Sequence, residues 1–299
     1  MNKKKKAINN LSNNNPASSR PCERSSFNSP LKPELNRWYK NICTPDFIPL
    51  DPVQFPLRYS KREDIEIAAF LAATIAWGRR DLILRSAEKM FSLMGQSPYD
   101  FVMSGGFKKL KDRSTQQSPT RNIHRTFFEN DLKYFCRGFE HCYKKYGNLE
   151  NLFSSLLATK FPAQGESPPL DVWEGIALFR EEMAKANKNV DSKHISNPGE
   201  KDKNGSACKR LNLALRWLVR KDQVDLGLWK SIKPAALFIP LDIHVMRTAR
   251  NLGLLERKAN DKKAVIELTE RLREFDANDP VKYDFALFGM GAMGSKYTT

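Results

Sequence analysis

Hydrophobic positions in this chain recur every three or four residues rather than every second one. From Asp64 onward, Ile65, Ala68, Ala69, Ala72, Ala73 and Ala76 keep one helical face apolar, and Trp77-Gly78 closes the segment. So many alanines predict a helix packed closely against a neighbour, as in the centre of an all-α domain. A second helix is predicted from about Arg80 to Met94, with Gly95 as its stop. The same spacing predicts helices from Pro33-Glu34 through Tyr39, Asp131 to Tyr146, Leu149 to Thr159, and Pro168-Pro169 through Phe179. Four more follow: Leu211 to Arg220, Asp242 to Gly253, Asp261 to Phe275, and Pro280 to Gly289. The stretches Thr44 to Pro56, 104–122, Phe161 to Pro169 and Ala186 to Ser206 read as loops or linkers. No alternating β-branched run of useful length appears, and no internal repeat.

Composition adds a partner to this picture. The 40% hydrophobic content and five tryptophans support a packed body. Residues 1–33, rich in Asn, Ser, Pro and Lys, read instead as a flexible basic tail, leaving 34–299 as the folded domain. The net charge is +16; seven Lys/Arg against one Glu put +6 in residues 1–33 and leave +10 for the rest. That excess implies a polyanion such as DNA or RNA, or else a basic enzyme with a small anionic substrate. The five cysteines are scattered, odd in number and without a C-x2-C pair, so reduced thiols are expected, with no zinc ribbon or iron–sulfur loop. The four histidines show no metal spacing, and neither a metal nor a cofactor is expected. After Met1 to Lys6 no apolar stretch follows, and no run reaches membrane-spanning length, so a cytoplasmic monomer without a membrane anchor is expected.

Two segments carry candidate chemistry. Gly205-Ser206-Ala207-Cys208-Lys209-Arg210 delivers a lysine to the start of a helix, and Pro240-Leu241-Asp242-Ile243-His244-Val245 places an aspartate at the start of another. They lie 33 residues apart, so only the fold could join them. A lysine amine beside a carboxylate in a cleft can attack an electrophilic carbon and form a Schiff base. The plainer alternative is capping by Ser206 with a solvated lysine, and capping by Asp242. The apolar lead-in Leu237 to Leu241 nevertheless drives the Asp242 carboxylate toward burial. Asp284 and Phe288 lie one helical turn apart; core packing accounts for Phe288 but not for an aspartate inside Tyr283 to Phe288. Arg247, Arg250, Arg257 and Lys258 form a solvated face that would also suit phosphates.

The first segment resembles the Gly-Val-Gly-x-Lys-Thr hairpin of the helix-hairpin-helix DNA glycosylases, and the second is similar to their Val-Asp-x-His-Val motif. Their spacing is closer to the archaeal 8-oxoguanine branch than to the endonuclease III type. As a whole, residues 45–291 look like a functionally unassigned bacterial family. That family is associated with Asp-Pro-Val-Gln-Phe-Pro, Cys-Lys-Arg-Leu-Asn, Pro-Leu-Asp-x-His-Val and Asp-Pro-Val-Lys-Tyr-Asp-Phe-Ala-Leu-Phe-Gly.

The glycosylase resemblance implies a two-lobed helical fold with a cleft between the lobes and a hairpin near 195–210. Lys209 would be the nucleophile at the sugar C1′, and Asp242 would activate it and stabilise the oxocarbenium charge. Gly205, Ser206, His244 and Arg247 would hold the DNA backbone. Asp284 would read the base edge, Phe288 would stack on the base, and Leu213 would face its other side. Ser206 and Ala207 stand where a second glycine is usual, and the iron–sulfur cysteines of the endonuclease III branch are missing. The implied activity is excision of a damaged purine, 8-oxoguanine first, from double-stranded DNA, with an AP-lyase step through the Schiff base, in a protein located at the nucleoid. Two rivals stay open: a catalytically silent DNA- or RNA-binding protein, and a hydrolase of small nucleosides or nucleotides.

Overall fold

Eleven consecutive residues of α2 (Arg62–Thr74), from Asp64 to Thr74, are buried, so this helix is covered on every side and sits at the centre of the molecule. A computed structural model describes residues 30–112, 121–160, 172–200 and 203–293. The other helices of the N-terminal part are α1 (Leu31–Ile42), α3 (Arg80–Met94), α4 (Pro98–Met103), α5 (Glu129–Tyr146), α6 (Leu149–Lys160) and α7 (Val172–Lys185). The chain then forms α8 (Lys209–Val219), α9 (Ile243–Asn251), α10 (Lys262–Phe275) and α11 (Tyr283–Met293). The protein is therefore mostly helical, as its periodicity predicts, and α3 has the boundaries that Gly95 and the apolar spacing set.

Helix α2 packs on α8, while α11 packs on both α1 and α9. The carboxylates on α2 are buried only because they are fully used. Asp64 accepts from Ser97 Oγ and the Tyr99 amide, both at 2.8 Å. Glu66 accepts from Tyr143 Oη at 2.9 Å, the Leu149 amide at 3.0 Å and Trp229 Nε1 at 2.8 Å. Burial nonetheless raises the Glu66 pKa. Among the described residues the apolar core runs as one continuous cluster from Leu35 on α1 through Phe70, Phe179 and Trp217 to Phe285 on α11.

Several expectations need correction. A small antiparallel hairpin, β1 (Asn122–His124) with β2 (Phe127–Phe128), follows the expected polar loop in a stretch to which the sequence assigned no element. Strands this short cannot show alternation; buried Ile123 and Phe127 hold them down. Helix α4 is too short for a period, although Ser97-Pro98 is a cap followed by a first-turn proline, and Ser97 Oγ does accept from the Asp100 amide. The segment Thr44 to Pro56 contains 3-10 turns rather than plain loop. Helix α1 begins at Leu31, inside the expected tail; the remainder of that tail and residues 161–171 lie outside the described residues.

Helix α7 ends at Lys185, and the described residues between it and Lys209 form no helix, so no helix leads directly into the lysine turn. Nor does Ser206 cap α8: the cap position is Cys208, in the left-handed region at φ +46° and without a side-chain cap bond. A buried residue with a Cβ holds that conformation because the turn is tied on both sides. The Ser206 amide donates to the Asn197 carbonyl at 2.9 Å, and the Lys262 amide donates to the Gly205 carbonyl at 2.9 Å.

Candidate active site

Helix α8 presents Lys209, Leu213, Arg216 and Arg220 at intervals of four, three and four residues, so all four share one face. Its first turn abuts the C-terminal end of α2, where backbone carbonyls have lost their helical partners. Lys209 Nζ donates to the Ala76 carbonyl at 3.2 Å, and Arg210 Nη1 donates to the Thr74 carbonyl at 2.9 Å. Cations at a helix C-terminus also meet the negative end of its dipole.

Opposite α8, the buried apolar run Leu237, Ile239 and Leu241 leads into α9. Asp242 caps that helix, with Oδ1 accepting from the His244 amide at 2.8 Å and the Val245 amide at 2.9 Å. Capping thus engages one carboxylate oxygen.

Lys209 and Asp242 both line an open cavity of about 1080 Å³. A second cavity of about 60 Å³ adjoins it, and Asp51, Lys209, Leu213, Asp242 and Phe288 line both. The small chamber ends on Arg216 and Asp284. The larger one carries four cations, Arg80, Lys193, Lys209 and Arg210, against two carboxylates, Asp51 and Asp242. Such a wall favours an anionic ligand.

Asp284 is buried, and its carboxylate pairs with Arg216. Burial pushes its pKa up to about 6; Arg216 opposes this, the Asp242 charge adds to it, and Lys209 opposes it. Arg216 also pairs with Asp225 at 3.3 Å, and Arg220 binds Asp279, Asp222 and Asp225. Burial pushes the Asp225 pKa up to about 6 as well, against the pull of Arg216 and Arg220. Asp279, the residue before Pro280, makes no cap bond and binds Arg220 instead.

Of the nine residues named from sequence, Lys209, Leu213, Asp242, His244 and Phe288 line the larger cavity, and Asp284 lines the smaller. Phe288 lies 5.0 Å below the Arg80 guanidinium and edge-on to His244 at 6.3 Å. His244 Nδ1 is buried without a hydrogen-bond partner among the described residues. Gly205, Ser206 and Arg247 are absent from both walls. A Cβ on Gly205 would collide with the Pro198 backbone, so this glycine serves close chain packing, and Arg247 Nη2 donates to the Gly291 carbonyl at 3.2 Å.

The cavity also contains residues that sequence reasoning passed over. Trp77, taken as a helix terminator, is half-buried in the wall, whereas the other four tryptophans are core residues. Arg210 lies 5.1 Å over its ring, His194 stacks at 5.8 Å, and His124 meets it edge-on at 4.7 Å. A large aromatic placed where the chain leaves a helix was the available signal. Among the described residues, no group of three or more His, Cys, Asp or Glu side chains converges as a metal site would, and no helix is long and apolar enough to cross a membrane.

No curated protein and no solved structure matches this chain. A family model described as a protein of unknown function, DUF2400, matches residues 51–293, which contain the whole wall of the larger cavity and all of the smaller one's except Phe47. The family description names no activity, so the likeness to glycosylases stands on the two motifs. The chain belongs to the DUF2400 family.

Proposed function

We propose that the protein is a DNA glycosylase that takes a damaged purine, 8-oxoguanine first, into the larger cavity and cleaves its N-glycosidic bond. The observation that carries this reading is the shared position of Lys209 and Asp242 on the wall of both cavities, reached from two helices 33 residues apart. A neutral Lys209 amine can keep donating to the Ala76 carbonyl while its lone pair attacks C1′. As the N–C1′ bond breaks, its electron pair leaves with the base, which takes up a proton. Asp242 supplies negative charge beside the oxocarbenium-like carbon. The attacking amine gives up one proton, and opening of the sugar, with O4′ taking up a proton, leaves a protonated imine joined to Lys209, from which β-elimination expels the 3′-phosphate and nicks the strand.

Base selection falls to Asp284, Phe288 and Leu213. A carboxylate can accept from guanine N1–H and its 2-amino group, a pair of donors that adenine does not offer. The cation-rich wall suits the phosphates on either side of a flipped nucleotide. In this reading the two lobes are the elements on either side of the cavity: α2, α3 and the hairpin on one, α8, α9 and α11 on the other.

Borohydride trapping tests the mechanism directly. Incubation with duplex DNA carrying 8-oxoguanine is expected to yield a covalent adduct that Lys209→Ala abolishes. Salt-dependent DNA binding with no adduct across a panel of damaged duplexes would leave the non-catalytic binder as the function.

A further inference from the structure

The hairpin that sequence did not anticipate reverses direction at Arg125 and Thr126, and it is fastened to the rim of the larger cavity. His124 fixes it from below: Nε2 bonds the Trp77 carbonyl and Nδ1 bonds Ser86 Oγ, both at 2.9 Å. Lys89 Nζ donates to the Asn122 carbonyl. Thr126 lines the cavity, and its carbonyl bonds His194 Nε2 at 3.2 Å. Arg125 is therefore held between two cavity-lining segments.

Arg125 adopts φ +49°, a left-handed conformation in which a residue with a Cβ is disfavoured and Asn or Gly is usual in tight hairpins. Its side chain is exposed, and Nη1 occupies the space that a Cβ on Gly78 would need. Gly78, at φ +97°, is itself part of the cavity wall. The neighbouring Arg121 is engaged by Glu129 at 3.1 Å, but among the described residues no carboxylate pairs with Arg125. Lys193, next to His194, is exposed on the same rim and likewise has no carboxylate partner among the described residues. Two uncompensated cations thus flank the His194–Thr126 bond, one of them in an unfavourable backbone conformation.

We propose that Arg125 and Lys193 form a phosphate clamp on the cavity rim, binding a phosphodiester of the nucleic-acid strand whose nucleotide enters the cavity. The clamp rests on the nucleic-acid reading above but not on its chemistry. A guanidinium grips two phosphate oxygens through parallel N–H bonds, and the ammonium adds a point charge. Because the hairpin is tied to Trp77 and His194, a phosphate held there is placed relative to the cavity rather than merely attracted to the surface.

Arg125→Gly separates this role from a structural one. Glycine accepts φ +49° freely, so the full-length variant is expected to melt no lower than the parent. Its affinity for a labelled duplex carrying 8-oxoguanine, read by fluorescence anisotropy, is expected to fall about tenfold in low salt. The slope of log K against log salt should shrink by about one for the lost phosphate contact. Arg125→Lys should retain most of that slope, and Lys193→Ala should reduce it as Arg125→Gly does. Unchanged affinity and slope in Arg125→Gly would overturn the clamp while leaving the glycosylase reading untouched. An adduct-free parent that binds DNA through Arg125 would overturn the chemistry and leave the clamp, and a parent that binds no nucleic acid would overturn both.

Discussion

Asp242 accepts two backbone N–H bonds on Oδ1 and also forms part of both cavity walls, and one substitution distinguishes these roles. Asparagine caps a helix about as well as aspartate, so Asp242→Asn removes only the charge at the helix start, worth at most about 1 kcal/mol. The same loss of charge beside the reacting sugar removes transition-state stabilisation often worth several kcal/mol. The variant is expected to melt near the parent and to bind DNA at least as tightly. Base release in single-turnover assays should fall by on the order of a hundredfold. Full excision by Asp242→Asn would leave this residue as a cap and Lys209 without a partner. The cap was legible locally, since an aspartate before an apolar helix caps it; the apolar lead-in that predicts burial leaves Asp242 only partly buried, at the cavity wall. Asp284 was only half legible. An aspartate inside an apolar run marks something unusual, but its partner Arg216 lies 68 positions away on another helix.

Helix α8 is the element that unites the site. Its exposed end brings Lys209 and Leu213 to the cavities, and its buried end places Arg216 and Arg220 among Asp284, Asp225, Asp222 and Asp279. Burial of Asp284 on α11, opposed by the charge on α8, gives a pH dependence with a definite sign. Burial pushes the Asp284 pKa up to about 6 despite Arg216, so the group is ionised at pH 7.5 and protonated at pH 5. Ionised, it accepts from the guanine edge; protonated, it presents a hydrogen to a donor and loses that pairing. Preference for an 8-oxoguanine duplex over an otherwise identical adenine duplex should be full above about pH 7 and should weaken as pH falls through about 6. In Asp284→Asn the preference should be low and flat over the same range, and a parallel decline in that variant would assign the titration to another group. Helix α3 was visible in sequence because it carries a periodic apolar face and a definite stop at Gly95, and α2 because its closely spaced alanines mark a helix packed among neighbours. The hairpin was not, because its strands are too short to alternate and it is held by long-range bonds from His124 to Ser86 and Trp77.

At the scale of the whole molecule, charge and cavity point to the same kind of ligand. Residues 34–299 carry +10, and the larger cavity's cations outnumber its carboxylates four to two. Neutralising phosphates releases counterions from DNA, so such a surface should bind with a steep dependence on salt. If about six phosphates are engaged, affinity for a duplex should fall by roughly a thousandfold between about 50 and 200 mM salt. Residues 1–29 add +5 and stop short of α1, so their removal takes charge away without cutting the first helix. The shortened protein is expected to melt at the parent temperature and to excise at the parent rate when saturated with DNA. Its non-specific affinity in low salt should drop, and its salt slope should be shallower than the parent's. The residual slope belongs to the folded part, and Arg125→Gly should lower it further by the same increment as in the full chain, because the two sets of contacts are separate. A salt response that vanished with residues 1–29 would make that segment the whole of the DNA-binding surface. The cavity would then be left to a small anionic nucleoside or nucleotide, for which binding of a mononucleotide with little salt dependence is the positive test.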